Sequence, residues 1–447
     1  MKNKRRMTWM MLLAALLLLS GLLPATAGGQ KAGSDQAVEL SIWTNFSWTD
    51  EVTKIIAERY TEKHPNVTFD ITLYPQRTLD QKIAIALPAK QGPDMFDAAT
   101  RMVMPFGHLL HPLSDETVEY MESVVPDSCM QLLTLAGHQG KPNIIAWYSN
   151  PAAWYYNRAH WKEAGLADGV PDTLDGTMEY AKKLVKRDSA GNVVRSGVGL
   201  RLGGGGVGIA QKFTQSFILP YGGTTLVSKD GKWCQGYDGS AGQNAVKFYI
   251  DALHKHKVES FDVKHEAEGF GLGVISMYYR ESHVIGQLAD LAPDLDYWVD
   301  LCPGADRRGT GVNYRGLTIV ETTDYAELCE DFGRFFLEED NQYWMFDTYG
   351  NQPVRIGEDY SAIYEKEPRL KVFMDSFNTP GYETWFQAPT PAYQEVYGKL
   401  ADRLVAAYRD ASLVDNPDKL AAVVHEMAVE TNQILKEQDE IAPGCTP

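Results

Sequence analysis

The chain has 447 residues, and its 59 acidic residues against 42 lysines and arginines give a net charge of −17. Nucleic acids and anionic membrane surfaces reward positive charge, so this balance argues against either as a partner and favours a soluble monomer. A chain of this length exceeds one hydrophobic core, so two lobes are expected.

The first 27 residues have the three parts of a secretory signal peptide. Lys2, Lys4, Arg5 and Arg6 form a basic head, the apolar stretch MLLAALLLLSGLLP follows, and Ala25-Thr26-Ala27 is an A-x-A cleavage pattern. The apolar stretch is too short for a comfortable membrane span. We expect export and cleavage near Ala27, which leaves 38 basic and 59 acidic residues and a net charge of −21. The mature chain is therefore expected outside the cytoplasm.

The cysteines set limits on metal and disulfide chemistry. They are Cys129, Cys234, Cys302, Cys329 and Cys445. None forms a C-x-x-C pair, which argues against a compact zinc site. Export permits disulfides, and an odd number leaves at least one cysteine free or paired with another chain. Their pairing stays open, and no cysteine is placed to carry an N-terminal lipid.

From the start of the mature chain, strand and helix patterns alternate. Strands are predicted from alternating apolar residues and helices from apolar residues at helical spacing. The first five elements are a strand over 38–43, a helix over 50–64, a strand over 66–75, a helix over 78–90 and a strand over 92–99. This order predicts a parallel sheet with crossover helices.

The alternation resumes after residue 150 and ends in helices. The later segments are WYYNRAHWKEAGL, TMEYAKKLVKRD, NAVKFYIDALHKHK, GVISMYY, AELCEDFGRFFLEEDNQYWMFD and the C-terminal helices over 393–410 and 418–438. No repeat or low-complexity linker separates them. The sequence therefore predicts an α/β protein whose lobes are wound together.

The glycine run GGGGVG over 203–208 raises the question of a nucleotide site. Gly203, Gly205 and Gly208 match G-x-G-x-x-G, between a strand-like and a helix-like stretch. A dinucleotide site also needs an acidic residue about 20 positions later at the tip of a parallel strand. Asp230 has that spacing, but TTLVSKDGKW indicates an Asp-Gly hairpin. Backbone contact with a ligand, or a simple flexible turn, is the better interpretation of the run.

Catalytic signatures are not met. HEMAVE over 425–430 has Val429 where a zinc protease needs its second histidine, and neither G-x-S-x-G nor a P-loop pattern occurs. Nothing marks two of the many carboxylates as a glycosidase pair. We expect no catalytic residue, no metal site and no cofactor.

The ordered segments resemble the extracellular solute-binding proteins of ABC transporters, in particular the maltose- and oligosaccharide-binding (family 1) branch. The resemblance covers nearly the whole mature chain and rests on IWTN, FDITLYP, GPDMFDAA with GHLLHPLSDE, WYYNRAHWKEAGL, LGVISMYY and AELCEDFGRFFLEEDNQYWMFDTYGNQPV. Two features depart from the family: Leu174 stands where a tryptophan is common, and the lipobox of many members is missing.

The resemblance implies a two-lobed, periplasmic-binding-protein-like α/β fold. Each lobe would have a mainly parallel sheet flanked by helices, and the lobes would close on a ligand like a hinge. Lobe 1 would comprise 38–146 and 274–313, and lobe 2 would comprise 150–272 and 318–436. The crossings between them would lie near Tyr148, Met277 and Arg315.

A sugar site needs aromatic rings for the apolar sugar faces and polar side chains for the hydroxyls. Such residues occur at predicted strand ends, crossings and loops, where open α/β sheets bind ligands. The predicted ligand-binding residues are Asn45, Trp48, Arg101, Tyr148, Asn150, Gly205, Tyr279, Arg280, Asn313, Tyr314, Trp385 and Phe386. Trp385 is expected on a turn-rich loop, in PGYETWFQAP, outside the core.

The leading hypothesis is a non-catalytic extracytoplasmic receptor. It would capture a carbohydrate, in particular an oligosaccharide, in the cleft and deliver it to the membrane subunits of an ABC permease. Two alternatives remain open: a secreted carbohydrate-active enzyme, or the same fold binding a polyamine, a peptide or an anion.

Overall fold

The structure is a computed structural model that describes residues 36–203, 206–263 and 266–446, without the side chains of Arg77 and Glu266. The predicted signal peptide, 1–27, lies outside the described residues, and so does Gly205 of the glycine run.

The strands follow the predicted order and add several short ones. They are β1 Val38–Thr44, β2 Val67–Leu73, β3 Met95–Ala99, β4 Ile144–Ser149, β5 Ala152–Asn157, β6 Lys186–Arg187, β7 Val193–Arg195, β8 Leu226–Lys229, β9 Lys232–Gln235, β10 Met277–Glu281, β11 Tyr297–Asp300, β12 Gly309–Gly311, β13 Tyr314–Ile319, β14 Gln352–Pro353 and β15 Glu383–Trp385.

The helices cover the predicted segments. They are α1 Ser47–Lys63, α2 Gln76–Ala86, α3 Thr100–Val103, α4 Asp115–Val124, α5 Asp127–Ala136, α6 Arg158–Ala164, α7 Leu174–Leu184, α8 Gly208–Phe213, α9 Ser240–Ile250, α10 Glu266–Gly271, α11 Val284–Leu291, α12 Ala326–Phe335, α13 Glu339–Tyr349, α14 Ser361–Lys366, α15 Arg369–Asn378, α16 Tyr393–Tyr408 and α17 Pro417–Glu437. Two single turns of π-helix, Thr214–Ile218 and Asp251–Lys255, extend α8 and α9. Two 3₁₀ segments, Met104–Leu109 and Ala411–Leu413, complete the set.

Local chemistry sets the ends of these elements. Helix α6 begins after Asn157, whose side chain accepts a hydrogen bond from the amide of His160 (3.1 Å). It ends at Gly165, which has φ 65°, a left-handed conformation that glycine adopts without steric cost. The segment WYYNRAHWKEAGL therefore folds as the predicted transition from strand to helix.

The six-stranded first sheet has the order β14–β4–β13–β3–β1–β2. β1 and β3 run parallel, whereas β13 runs antiparallel to both β3 and β4. β4 and β13 are buried on both faces, which fits their apolar and aromatic composition. β3 and β1 end at this sheet's carboxyl edge, where Ala99 and Thr44 precede the candidate site residues.

The three-stranded second sheet has the order β10–β5–β11. Its central strand β5 alternates between two cores: Trp154 and Tyr156 pack in one, and Ala153 and Tyr155 in the other. The first core includes side chains of α8, α9, α16 and α17, and the second includes side chains of α11 and α15. Both sheets belong to one compact unit, Glu39–Pro447.

The strand pairing corrects the predicted division of the chain. β10 and β11 pair with β5, so residues of 274–313 join the second sheet instead of lobe 1. β13 joins the first sheet. Residues 318 and 319, which begin the predicted second segment of lobe 2, therefore lie in the first sheet. Met277 lies inside the second sheet and is not a crossing, whereas Tyr148 and Arg315 do lie next to crossings.

Strand directions are also more mixed than predicted. β10 and β11 are both antiparallel to β5, so they run in the same direction and α11 connects them. β5 lies between them in the sheet. It follows β4 directly, without a crossover helix. The segment 196–199 runs parallel to β10 and its start, through the bridges Ser196↔Ile275 and Gly199↔Tyr278.

A disulfide between Cys234 and Cys445 answers the open question of pairing. Cys129, Cys302 and Cys329 are buried free thiols. The bond joins β9 to the C-terminal segment, which also pairs with Trp233 through backbone hydrogen bonds involving Glu440 and Ala442 (both 2.9 Å).

Candidate functional site

Two chain crossings between the sheets lie side by side. The chain passes from β4 to β5 through Asn150, and from β12 to β13 through Asn313. The amide of Asn150 donates to the carbonyl of Asn313 (2.8 Å), so the two crossings are hydrogen-bonded to each other. In the adjoining strands Arg315 is opposite Tyr148 and Tyr314 is opposite Ser149. Because cross-strand partners share a face, these pairs lie on opposite faces of the crossings.

The face of Arg315 and Tyr148 contains a buried ion pair. The Arg315 guanidinium lies 3.4 Å from Asp97 at the end of β3, and both side chains are almost fully buried. Burial raises the pKa of the Asp97 carboxyl, and Arg315 opposes that shift. Burial also raises the pKa of Tyr148, so its hydroxyl stays neutral beside Arg315. The pair fixes the position of β13 against β3 at the base of the site.

A polar network extends from β1 to α2 on the first sheet's carboxyl edge. Asn45 donates through Nδ2 to Gln76 Oε1 (3.1 Å), and Gln76 Nε2 donates to Asp80 Oδ1 (3.0 Å). Asn45 is 3% exposed, and its Oδ1 has no hydrogen-bond partner within the described residues. Asn150 Oδ1 is buried and unpartnered in the same way. Buried polar atoms usually have a hydrogen-bond partner, so these two oxygens are exceptions near the first crossing.

Arg101 lines a cavity of about 510 Å³ next to this network. Within the described part of the chain, its guanidinium has no hydrogen bond and no ion pair within 4 Å. Burial lowers its pKa, while Tyr393 and Asp80 act in the opposite direction. The cavity is lined by α2 and α3 on one side and by the start of α16 on the other: Asp80, Gln81, Ile83, Ala84, Arg101, Met102, Pro105, Phe106, Pro391, Gln394, Glu395 and Gln438.

Helix α16 supplies the opposite wall. Tyr393, at its first position, accepts a hydrogen bond from Gln211 Nε2 (2.5 Å) and donates to Gln387. Gln387 Nε2 is buried and has no partner among the described residues. Gln394 and Glu395 of the same helix line the cavity with Arg101.

Charged side chains also cluster where β10 ends. Lys212 of α8 and Arg280 both hydrogen-bond to Glu281, Arg280 at 3.0 Å. Burial acts to raise the pKa of Glu281, but Lys212, Arg280 and His283 hold it well below its usual range. The Lys212 ammonium also lies 4.4 Å from the ring centre of Tyr279. Arg201, Lys212, Tyr279 and Arg280 line a small cavity of about 30 Å³.

Tyr314 and Phe386 lie on the other face of the crossings. Their rings stack with centroids 5.8 Å apart. Tyr314 and Ser149 line a cavity of about 620 Å³, together with the segment 353–361 and helix α15. This cavity is larger than the one at Arg101, but it lies away from the Asn45–Gln76–Asp80 network and its Arg355 and Lys371 are already paired with Glu358 and Asp375. We therefore assign the candidate ligand cleft to the Arg101 side.

Two predicted tryptophans pack against other parts of the protein: Trp48 is half-buried and Trp385 is buried. Trp48 lies in α1 and packs edge-on against Trp147 (5.7 Å between centroids) and Tyr148 (4.9 Å). The expectation that Trp385 lies on an exposed loop is wrong. It ends strand β15, is 5% exposed, and its indole nitrogen donates to Glu383 Oε2 (3.2 Å). Pairing of β15 with β12 buries this ring, and the local turn-rich sequence contains no sign of that distant partner.

Two described glycines of the run, Gly206 and Gly208, have structural reasons to be glycine. Gly206 has φ 67°, and a Cβ on Gly208 would lie 2.9 Å from the Arg201 guanidinium carbon. Asp230 and Gly231 form the turn of the antiparallel hairpin β8–β9, both with positive φ. Asp230 therefore does not lie at the tip of a parallel strand, and the structural context of a nucleotide fingerprint is lacking here.

Sequence reasoning missed several polar residues of the cleft. Asp80 and Gln394 lie on helices, and Gln438 directly follows one, and the patterns of these helices gave no sign of a cleft. Lys212 and Glu281 had detectable signals: Lys212 interrupts the apolar helix IAQKFTQSFIL, and Glu281 follows the buried strand ending in SMYYR. A charged side chain within an apolar element needs a partner of opposite charge. Lys212 and Glu281 pair with each other.

Two further searches cover the described residues. No helix there has the length and hydropathy needed to span a bilayer. No group of three histidine, cysteine or acidic side chains there is close enough to hold a metal ion.

The two-sheet architecture with a cleft at the crossings defines a two-lobed α/β protein of the solute-binding class. The family model of bacterial extracellular solute-binding proteins matches residues 45–343, more than half of the chain. The chain belongs to this family. A search of the curated proteins found no match.

Solved structures show the same fold. An ABC transporter solute-binding protein from Thermotoga lettingae, bound with α-D-tagatose, is 18% identical with a TM-score of 0.73, over 89% of this chain and 100% of that one. The cyclic α-maltosyl-1,6-maltose binding protein from Arthrobacter globiformis is 18% identical with a TM-score of 0.71, over 90% and 100%. UgpB from Mycobacterium tuberculosis, in complex with glycerophosphocholine, is 18% identical with a TM-score of 0.73, over 90% and 100%.

Proposed function

We propose that this protein is a non-catalytic receptor that captures a carbohydrate in the cleft at Arg101 and delivers it to the membrane subunits of an ABC permease. The observation that carries the proposal is the 510 Å³ cavity between α2–α3 and α16, where an unpaired arginine faces polar side chains from the other sheet. Its volume is within the usual range of small-molecule sites.

The lining of this cavity suits a sugar. Asp80, Gln81, Arg101, Gln394 and Glu395 supply hydrogen-bond donors and acceptors for hydroxyl groups. Phe106, Met102 and Pro105 supply apolar surface for the faces of the ring. Two of the similar structures have carbohydrate names, tagatose and cyclic α-maltosyl-1,6-maltose, which supports the same class of ligand.

The strand pairing supports a revised pair of lobes. The first lobe comprises 38–149 and 314–353, built on the first sheet, and the second comprises 152–312 and 361–446, built on the second sheet. The chain crosses three times, at 149–152, 312–314 and 353–361. Of the predicted site residues, Asn45, Arg101, Tyr148 and Asn150 lie at the first lobe or the first crossing, and Tyr279 and Arg280 at the second lobe.

Membership of an extracellular family supports a location outside the cytoplasm. Export with cleavage after Ala27 and action as a monomer are part of the proposal.

A sugar panel with two readouts tests the proposal. Purified protein is mixed with di- and oligosaccharides, the melting temperature is measured, and each mixture is analysed by chromatography after long incubation. A ligand that binds the folded state raises the melting temperature. We expect at least one sugar to stabilise the protein and to be recovered intact. New reducing ends would show a hydrolase, and no stabilisation by any sugar would contradict the proposed ligand class.

A further inference from the structure

The segment Ser196–Leu200 directly precedes Arg201 in the second lobe. It runs parallel to the start of β10, with Ser196 N donating to Val274 O (2.9 Å) and Gly199 N donating to Met277 O (2.7 Å). Arg201 follows directly and lines the small cavity with Tyr279 and Arg280. The path of this segment therefore sets where Arg201 lies.

Glu259 holds the other side of that segment. Its carboxylate is 3% exposed and accepts hydrogen bonds from the Ser196 hydroxyl and the Leu200 amide (2.8 Å). It also accepts from the amide of its neighbour Ser260 (2.8 Å). Within the described residues, Glu259 forms no ion pair with any cation. Only neutral donors stabilise this buried carboxylate.

A buried carboxylate without a cation is costly, and an apolar residue of similar size would avoid the cost. The hydrogen bonds show what the carboxylate does instead. One oxygen binds the start of Ser196–Leu200 and the other binds its end, so the side chain spans the segment. A residue with only an apolar side chain could not fix both points.

We propose that Glu259 is a positioning residue for the predicted ligand-binding residues at the end of β10: it fixes Ser196–Leu200 and thereby places Arg201 beside Tyr279 and Arg280. This inference rests on the proposed function, since it assigns Arg201 and its neighbours to ligand binding. Glu259 itself is buried behind the segment and does not touch the ligand.

The positioning depends on pH. Burial raises the pKa of Glu259 to about 7, so its charge changes in the neutral range. The ionised carboxylate accepts from all three donors, whereas the protonated group must use one oxygen as a donor. Tyr249 of α9 is the titratable group that interacts with Glu259; burial raises its own pKa, and Arg201 acts to lower it. Tyr249 therefore stays neutral over the pH range of interest.

Hydrogen–deuterium exchange without sugar tests the positioning directly. In the wild type, the Leu200 amide, corrected for intrinsic exchange, should be protected less strongly at pH 8 than at pH 6, because opening of the segment hydrates a carboxyl group whose pKa burial raises to about 7. Glu259→Gln should speed its exchange at pH 8 by about tenfold, the effect of losing one hydrogen bond to a charged group, and should abolish the dependence on pH. The hairpin β8–β9 should not change.

Glu330→Gln is the matched control. Glu330 is also 3% exposed and accepts from Ser114 and Thr117, but it lies in α12 beside the first sheet. It should leave exchange at Leu200 unchanged. Unchanged exchange at Leu200 in Glu259→Gln, or an equal effect of Glu330→Gln, would overturn the proposal.

Binding adds a second readout. For the sugar that most stabilises the wild type, Glu259→Gln should weaken the affinity about tenfold at pH 8 and should flatten its dependence on pH. An unchanged affinity would overturn the role in ligand binding. If no sugar stabilises the wild type, the proposed function fails, while the exchange experiment still decides whether Glu259 positions the segment.

Discussion

At the scale of single residues, Arg101 is the predicted residue on which the proposed site depends most. It was predicted because it follows a strand at the edge where α/β sheets bind ligands. The structure adds what the sequence could not contain: an unpaired guanidinium facing a cavity whose other wall comes from residues about 290 positions later. No local pattern predicts which helix closes a cavity from the far side.

Replacing Arg101 should weaken binding without weakening the fold. We expect Arg101→Ala to reduce the affinity for the stabilising sugar at least tenfold, because charge-assisted hydrogen bonds contribute about 1.5–3 kcal/mol each. Titration calorimetry measures the affinity. The melting temperature should stay the same or rise, because Arg101 makes no hydrogen bond or ion pair among the described residues.

Arg403→Ala is the matched control for that change. Arg403 lies on α16, pairs with Glu430 (2.7 Å) and is half exposed. It should leave the affinity unchanged. Equal affinities of Arg101→Ala and the wild type would remove Arg101 from the site.

Trp385 shows where loop-based reasoning failed. The turn-rich sequence around it predicted an exposed ring, but pairing of β15 with β12 buries it. We now expect Trp385→Ala to lower the free energy of unfolding by about 3–5 kcal/mol, since it leaves a cavity of aromatic size. Urea unfolding measures this. Trp385→Phe should cost much less, and equal stability of wild type and Trp385→Ala would show that the ring does not contribute to packing.

Glu259 should make stability depend on pH. Its pKa is raised from 4.5 to about 7, so between these values the folded chain keeps a proton that the unfolded chain releases. The stabilisation is complete below the unfolded pKa and is lost as the pH rises through the folded pKa. The free energy of unfolding of the wild type, relative to Glu259→Gln, should fall by up to about 3 kcal/mol from pH 4.5 to 8. A flat difference would contradict a raised pKa.

At the scale of elements, the sequence predicted which segments form strands and helices better than it predicted how strands pair. Asp230-Gly231 between alternating residues gave the hairpin β8–β9 correctly. By contrast, it did not predict that β10 and β11, within 274–313, pair with β5. β4, β5 and most of β10 are buried on both faces, so their sequences contain no alternation that would indicate a sheet or a direction.

The disulfide also belongs to the scale of elements. Only the structure could identify its two cysteines, because five cysteines allow many pairings. Cys234→Ser should lower the free energy of unfolding by about 2–5 kcal/mol, since the bond closes a loop of more than 200 residues. Reductant should destabilise the wild type and not the variant. Thiol titration of the unfolded, unreduced chain should give three thiols, and five after reduction. Five thiols before reduction would contradict the bond.

At the scale of the whole molecule, the ordered set of weak motifs predicted the family and the two-lobed fold correctly. Order along a chain constrains topology more strongly than any one motif does. The proposed division into lobes rests on the long-range pairing of β13 with β3 and β4. The same pairing brings the two crossings side by side. The candidate cleft is assigned to the face of the crossings that carries Arg315.

The central claim is that a carbohydrate is captured between two lobes that close on it, and small-angle scattering tests this most directly. Profiles are recorded with and without a saturating concentration of the sugar that most raises the melting temperature. Closure around three short crossings should reduce the radius of gyration when the sugar is bound. An identical radius of gyration in both states, with binding confirmed by calorimetry in the same buffer, would contradict capture by lobe closure.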